Sequence, residues 1–240
     1  MLRWLILLHK LEIVYIQETK LSAICNSLAI ECLGSDYEYD FIPAARVVGG
    51  VLLTWSKNAW SALELHKGAF FISARFTPIG TTRGPWLFIG VYGPQQDVDK
   101  VHFLSELTQF RDVAPSELFL CGDFNMIYRA QDKNNDRRDR RCMHRFRTFL
   151  DRVQLWEIHM IGRKFTWSNE RDNQTLVLLD QMFASVEWFG SFADHVLKPL
   201  STDCSDHCPL LLQLQVFDGV HSRFPFEAFW PKILGFMQVV

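Results

Sequence analysis

Leu118-Phe119-Leu120-Cys121-Gly122-Asp123-Phe124-Asn125 is an apolar run that stops on a glycine and a carboxylate, with an amide two positions further on. An apolar run without polar alternation is what a strand covered on both faces carries. Polar groups at the end of such a strand cost stability unless they are satisfied, so that is where a site is to be sought. The glycine permits a tight turn, and Asp123 and Asn125 can project to one side of an extended chain. The pair suits one residue that handles a water's proton and another that donates to a phosphate oxygen, although Gly-Asp-x-Asn also serves as a plain turn.

Similar runs recur on both sides of this stretch: Ile13–Ile16, Val47–Trp55, Ala69–Phe76, Trp86–Tyr92, Leu176–Phe183 and Pro209–Val216. Helical spacing appears in Val98, Val101, Leu104 and Leu107, and again in Met143, Phe146, Phe149, Leu150 and Val153. Helices and buried strands therefore share one chain, and its 240 residues suffice for one large core. Polar sequence from Gln131 to Arg141 reads as a long loop. Strand character is lost after Val216, so the domain is expected over 1–216, with 217–240 as a linker or tail.

With 48% hydrophobic and 22% charged residues the chain has the composition of a packed globular protein. A formal net charge of -2 excludes a general positive field, so any nucleic-acid contact must come from local patches. The richest patch runs from Lys133 to Arg147, interrupted by Asp136 and Asp139, and by itself reads as a solvated helix entry. Six cysteines without a C-x-x-C pair point to thiols in a reducing compartment rather than a zinc site. The apolar Trp4–Leu8 is closed by His9 and Lys10, too soon for a membrane span, so an intracellular protein is expected.

Three more places combine a buried strand with chemistry at its end. Gln17-Glu18-Thr19-Lys20 follows Ile13–Ile16, and a carboxylate there can hold a hard divalent cation through oxygen. Ser205-Asp206-His207-Cys208-Pro209 precedes Leu210–Leu212, and an imidazole beside a carboxylate can change protonation near neutral pH. Asp180 lies inside the apolar run Leu176–Phe183, where a carboxylate should be paired. Orienting His207 would meet that need, and a solvent-facing strand side is the other reading.

The order of these words is more specific than any one of them. Gln-Glu-Thr, then Tyr92-Gly93-Pro94, Gly-Asp-Phe-Asn, Thr166-Trp167-Ser168, Leu179-Asp180 and Ser-Asp-His resembles the endonuclease/exonuclease/phosphatase superfamily, in its abasic-site-endonuclease-like branch. Gly162-Arg163-Lys164-Phe165-Thr166-Trp167-Ser168-Asn169 and Ser205-Asp206-His207-Cys208-Pro209-Leu210 are similar to the endonuclease of plant non-LTR (LINE-type) retrotransposons. Phe226-Glu227-Ala228-Phe229-Trp230 resembles the segment leading toward their reverse transcriptase.

The resemblance implies an α/β fold: a four-layered α/β sandwich of the DNase I-like type, with two central, mostly antiparallel sheets flanked by helices. The family's opening strand, which carries a metal-holding asparagine, has no counterpart here; Met1 to Leu11 matches the helix after it, so the first strand is expected to be missing. The implied function is a Mg2+-dependent phosphodiesterase that nicks DNA, with Mn2+ as a substitute and no stable protein partner. Glu18 and Asp206 would serve the metal. Tyr92 would contact the scissile phosphate, Asp123 would position or deprotonate water, and Asn125 would bond a phosphate oxygen. His207 would stabilise developing charge, held by Asp180, while Thr166 and Trp167 would line the DNA-facing surface. A nuclear location follows only from that origin. Two alternatives stay open: a small-phosphoester phosphatase of the same fold, and a catalytically dead, nucleic-acid-binding relic.

Overall fold

A computed structural model describes residues 2–44, 49–169, 171–202 and 205–214, and the expected tail at 217–240 lies outside them. The chain opens with α1 (Leu2–His9), β1 (Ile13–Gln17), α2 (Asn26–Leu33), β2 (Tyr37–Ile42) and β3 (Val51–Ser56). It continues through β4 (Trp60–Lys67), β5 (Phe71–Pro78), β6 (Trp86–Tyr92), α3 (Asp97–Val113) and β7 (Leu118–Asp123). After α4 (Arg140–Val153) come the short β8 (Trp156–Glu157), β9 (Trp167–Ser168) and β10 (Leu176–Val177). Last are β11 (Asp180–Ala184), α5 (Val186–Ser191), β12 (His195–Pro199) and β13 (Leu210–Leu214).

Six strands form the larger sheet in the order β4-β5-β6-β7-β11-β8. Only β6 and β7 run parallel, joined by α3 as a parallel crossover requires. The facing layer is in two pieces, β1-β3-β2 and β12-β13. Among the described residues β1 pairs only with β3 and β13 only with β12, which is the discontinuity expected of a layer without one central strand.

Side-chain alternation sorts the core into layers. Trp86, Phe88, Phe119, Cys121 and Ala184 of the larger sheet meet Leu53 and Trp55 of β3, with Ile13, Tyr15, Leu210 and Leu212 packed against them. Residues on the opposite face, Leu87, Ile89, Leu118, Leu120 and Phe183, meet Phe103, Leu104 and Leu107 of α3 and Phe146, Phe149 and Leu150 of α4. Outside the second layer, Ile6 of α1 and Ala29 and Leu33 of α2 bury against Val14 and Tyr39. Helices, sheet, sheet and helices thus make the four layers.

The elements differ from the sequence reading in three respects. Val98 and Val101 are exposed, and α3 instead turns Phe103, Leu104 and Leu107 inward, because a stripe of four apolar residues does not settle a helix's rotation. The run Leu176–Phe183 is two strands, interrupted where Leu178 donates its N–H to Asp132 and Leu179 donates to the Thr166 hydroxyl. β2, β4 and β12 carry polar residues along their length and show no apolar run.

Phe146 is wholly buried, with ring centroids 5.0 Å from Phe124 and 5.9 Å from Phe183, so it fastens α4 beneath the loop that follows β7. Phe146→Ala is expected to destabilise the fold by about 3–5 kcal/mol through lost contacts and the cavity left behind. Urea unfolding should show this as a lower midpoint at unchanged slope.

Candidate active site

The larger sheet ends in a row of polar residues. Strand register sets Tyr92 beside Asp123 across the parallel pair β6/β7, and Asp123 opposite Asp180 across the antiparallel pair β7/β11. All three continue the alternation of side chains that face the second layer, so they stand at the open end of the inter-sheet core. From that second layer, Glu18 follows the last residue of β1, and Asp206 and His207 precede β13. Segments far apart in sequence therefore converge on one opening.

Asp180 and Asp123 are like charges directly opposite one another, an arrangement that costs energy unless something compensates. His207 does so: its Nδ1 lies 2.8 Å from Asp180 Oδ2. Thr166, wholly buried, accepts at its hydroxyl from the backbone N–H groups of Leu179 and Asp180, both at 3.0 Å, and so fixes where β11 begins. This corrects the expectation of a DNA-facing Thr166: its side chain serves the carboxylate from within, and only Trp167 stays half-exposed.

Asp123 is 3% exposed, and one carboxylate oxygen accepts the Asn125 N–H at 2.8 Å. Burial first, and then the charge of Asp180, push its pKa up to about 7 against the opposing pull of Asn125 and His207. Burial works to lower the His207 pKa, but the hydrogen bond and charge of Asp180, joined by Asp123 and Asp206, prevail and hold it at about 9. At neutral pH the imidazole is thus a cation paired with Asp180, while Asp123 stands near its midpoint.

The surrounding backbone is strained where the chemistry sits. Glu18 has φ 52° and Asn125 has φ 49°, left-handed conformations uncommon for residues with a Cβ. Asn125 is held by its Nδ2 donating to the Gly93 carbonyl at 2.8 Å, which leaves the second amide hydrogen unused in that bond. At Gly93 a Cβ would come within 2.4 Å of the Phe124 carbonyl oxygen, so the Tyr-Gly-Pro turn closes on this loop only as glycine.

Glu18 accepts from the Tyr92 hydroxyl and forms an ion pair with Lys20 at 2.7 Å. The hydrogen bonds from Lys20 and then Tyr92 lower its pKa. Asp206 Oδ2 accepts from the Trp167 indole at 2.8 Å. Among the described residues no group of three or more His, Cys, Asp or Glu side chains gathers as a metal cage. The donor chemistry nonetheless fits a hydrated magnesium-like ion at Glu18, since such ions keep several waters and need one or two carboxylates plus substrate phosphate. The exposed Lys20 ammonium marks where a cation is already favoured.

No family model matches the chain, and no curated protein matches its sequence. Solved structures do. The chain is similar to the 3′ phosphatase NExo from Neisseria, bound to a product DNA hairpin, at TM-score 0.69 and 17% identity over 89% of this chain and 93% of that one. It is similar to the endonuclease domain of TRAS1, a telomere-specific non-LTR retrotransposon, at TM-score 0.66 and 14% identity over 89% and 90%. An endonuclease/exonuclease/phosphatase family protein from Bacteroides thetaiotaomicron follows at TM-score 0.55 and 13% identity over 86% and 82%. At these identities the likeness is one of architecture, and in architecture this chain is an α/β sandwich of the DNase I-like endonuclease/exonuclease/phosphatase fold.

Proposed function

We propose that the chain is a divalent-metal-dependent phosphodiesterase that nicks DNA, the endonuclease part of a retrotransposon polyprotein acting in the nucleus. The observation that carries this reading is the convergence of Tyr92, Asp123, Asn125, Asp180 and His207 at one sheet end, with Glu18 facing them from the other layer. Hydrolysis of a phosphodiester needs a water relieved of a proton, donors around the developing charge, and a fixed line of attack.

Asp123 supplies the base: with one oxygen tied to Asn125, the other is left for water. As the water oxygen bonds phosphorus and the ester oxygen departs, Asp123 takes the proton. His207, its Nδ1 on Asp180, presents Nε2–H to a phosphate oxygen, and Asn125 offers its second amide hydrogen to another. Tyr92, half-exposed beside Glu18, borders the phosphate position. Mg2+, or Mn2+ in its place, would be held by Glu18 and would add positive charge at the phosphate.

A long polyanion is favoured over a small phosphoester by the surface around the opening. Trp167 stands half-exposed on the β9/β10 hairpin, and the polar arm at 133–135 docks on that hairpin through Asn134 and Asn135. Exposed Arg137, Arg140, Arg141 and Arg145 continue from the arm into α4. Stacking surface followed by cations is what single or double strands engage. The solved 3′ phosphatase structure with its bound product DNA hairpin is consistent with this choice.

With Mg2+, the chain is expected to convert supercoiled plasmid to open circles, and Asp123→Asn should lower the rate by about 10²–10⁴-fold with no loss of folding. Phosphate release from small phosphoesters without nicking would favour the phosphatase, and neither activity in a folded chain would favour the relic. The pH profile of kcat/KM should be a bell. It rises through about 7 as Asp123 loses its proton and falls through about 9 as His207 loses its own. His207→Gln should abolish the falling limb.

A further inference from the structure

Gln17 is the last residue of β1, immediately before Glu18, and its amide crosses from the second layer to the larger sheet. Its Oε1 accepts the backbone N–H of Asp123 at 3.2 Å, and its Nε2 donates to the carbonyl of Val91 at 3.2 Å. These are the ends of β7 and β6, where the parallel ladder finishes at the pair Tyr92 and Asp123. One neutral side chain therefore satisfies one backbone donor and one backbone acceptor on two adjacent strands.

Gly122 makes the approach feasible. Its φ is 136°, and a Cβ there would lie 2.0 Å from the Val91 carbonyl oxygen and 2.8 Å from Gln17 Nε2. Only a residue without a side chain lets the amide lie against both strand ends.

We propose that Gln17 is a positioning residue: by clasping the ends of β6 and β7 to β1, its amide sets Glu18, Tyr92 and Asp123 at one spacing across the mouth between the two layers. Contact between these layers is otherwise largely apolar, and apolar contact has no preferred direction along the interface. A doubly bonded amide has one. Leucine at 17 would keep the volume and remove both hydrogen bonds, to the Asp123 N–H and to the Val91 carbonyl. Glutamate would keep the reach, but it loses the donor and brings a second negative charge to Asp123.

The catalytic arm of the test rests on the nuclease reading, and the spectroscopic arm does not. Gln17→Leu and Gln17→Glu are compared with the wild-type chain for thermal stability, for plasmid nicking with Mg2+, and for titration of the Asp123 carboxyl by 13C NMR. Gln17→Leu should lower kcat by about 10–100-fold at unchanged KM, the effect of displacing reacting groups by around an ångström. Gln17→Glu should move the Asp123 titration to higher pH. If kcat and the Asp123 titration stay at wild-type values while only thermal stability drops, the glutamine is merely structural and the proposal is overturned. Should the wild-type chain fail to nick, the nuclease reading fails separately, and the titration alone decides: a shift upward in Gln17→Glu upholds the clasp, and no shift overturns it.

Discussion

Two carboxylates, Asp123 and Asp180, face each other across neighbouring antiparallel strands, and the rest of the site follows from managing their repulsion. Burial denies both the screening that water would give. The resolution is asymmetric: Asp180 takes His207 as counter-ion, while Asp123 takes only the backbone N–H of Asn125. The outcome is an imidazole that keeps its proton at neutral pH and a carboxyl, Asp123, near its midpoint, an acid/base division of labour produced by environment.

That arrangement depends on backbone geometry that a sheet alone does not supply. Gly93 lets the loops after β6 and β7 close on each other, Gly122 lets β7 lie against the Val91 carbonyl and the Gln17 amide, and Asn125 and Glu18 are held in left-handed conformations by the hydrogen bonds around them. Strain of this kind persists only where surroundings over-determine it. Here Phe124, wholly buried against Phe103, Phe146 and Phe183, anchors the turn between Asp123 and Asn125 from the helical side. The aromatic core beneath α3 and α4 is thus a support for the site as well as a source of stability.

The second layer contributes in a different way. It is split, with unpaired edges on β1 and β13 among the described residues, and those two strands carry Glu18 and His207 at their ends. Polar contacts across the opening compensate for the missing continuity: Gln17 to Val91 and Asp123, Tyr92 to Glu18, and His207 to Asp180. Trp167 to Asp206 ties the β9/β10 hairpin to the same loop.

Residue types and strand ends were legible in the amino-acid order, because burial and turn chemistry act within a few positions: an apolar run, a glycine, then Asp123 and Asn125 can be read locally. The collinear words also indicated the four-layered architecture, and the solved structures bear it out at the level of fold. The tertiary structure decided what depends on register and distance. It sent Thr166 inward to hold β11 and turned Asp206 toward Trp167. It rotated α3 so that Val98 faces water, and it brought the Gln17 amide to a backbone N–H 106 residues away. No local pattern encodes such contacts, since a shift of one residue in pairing moves every side chain to the other face of its strand.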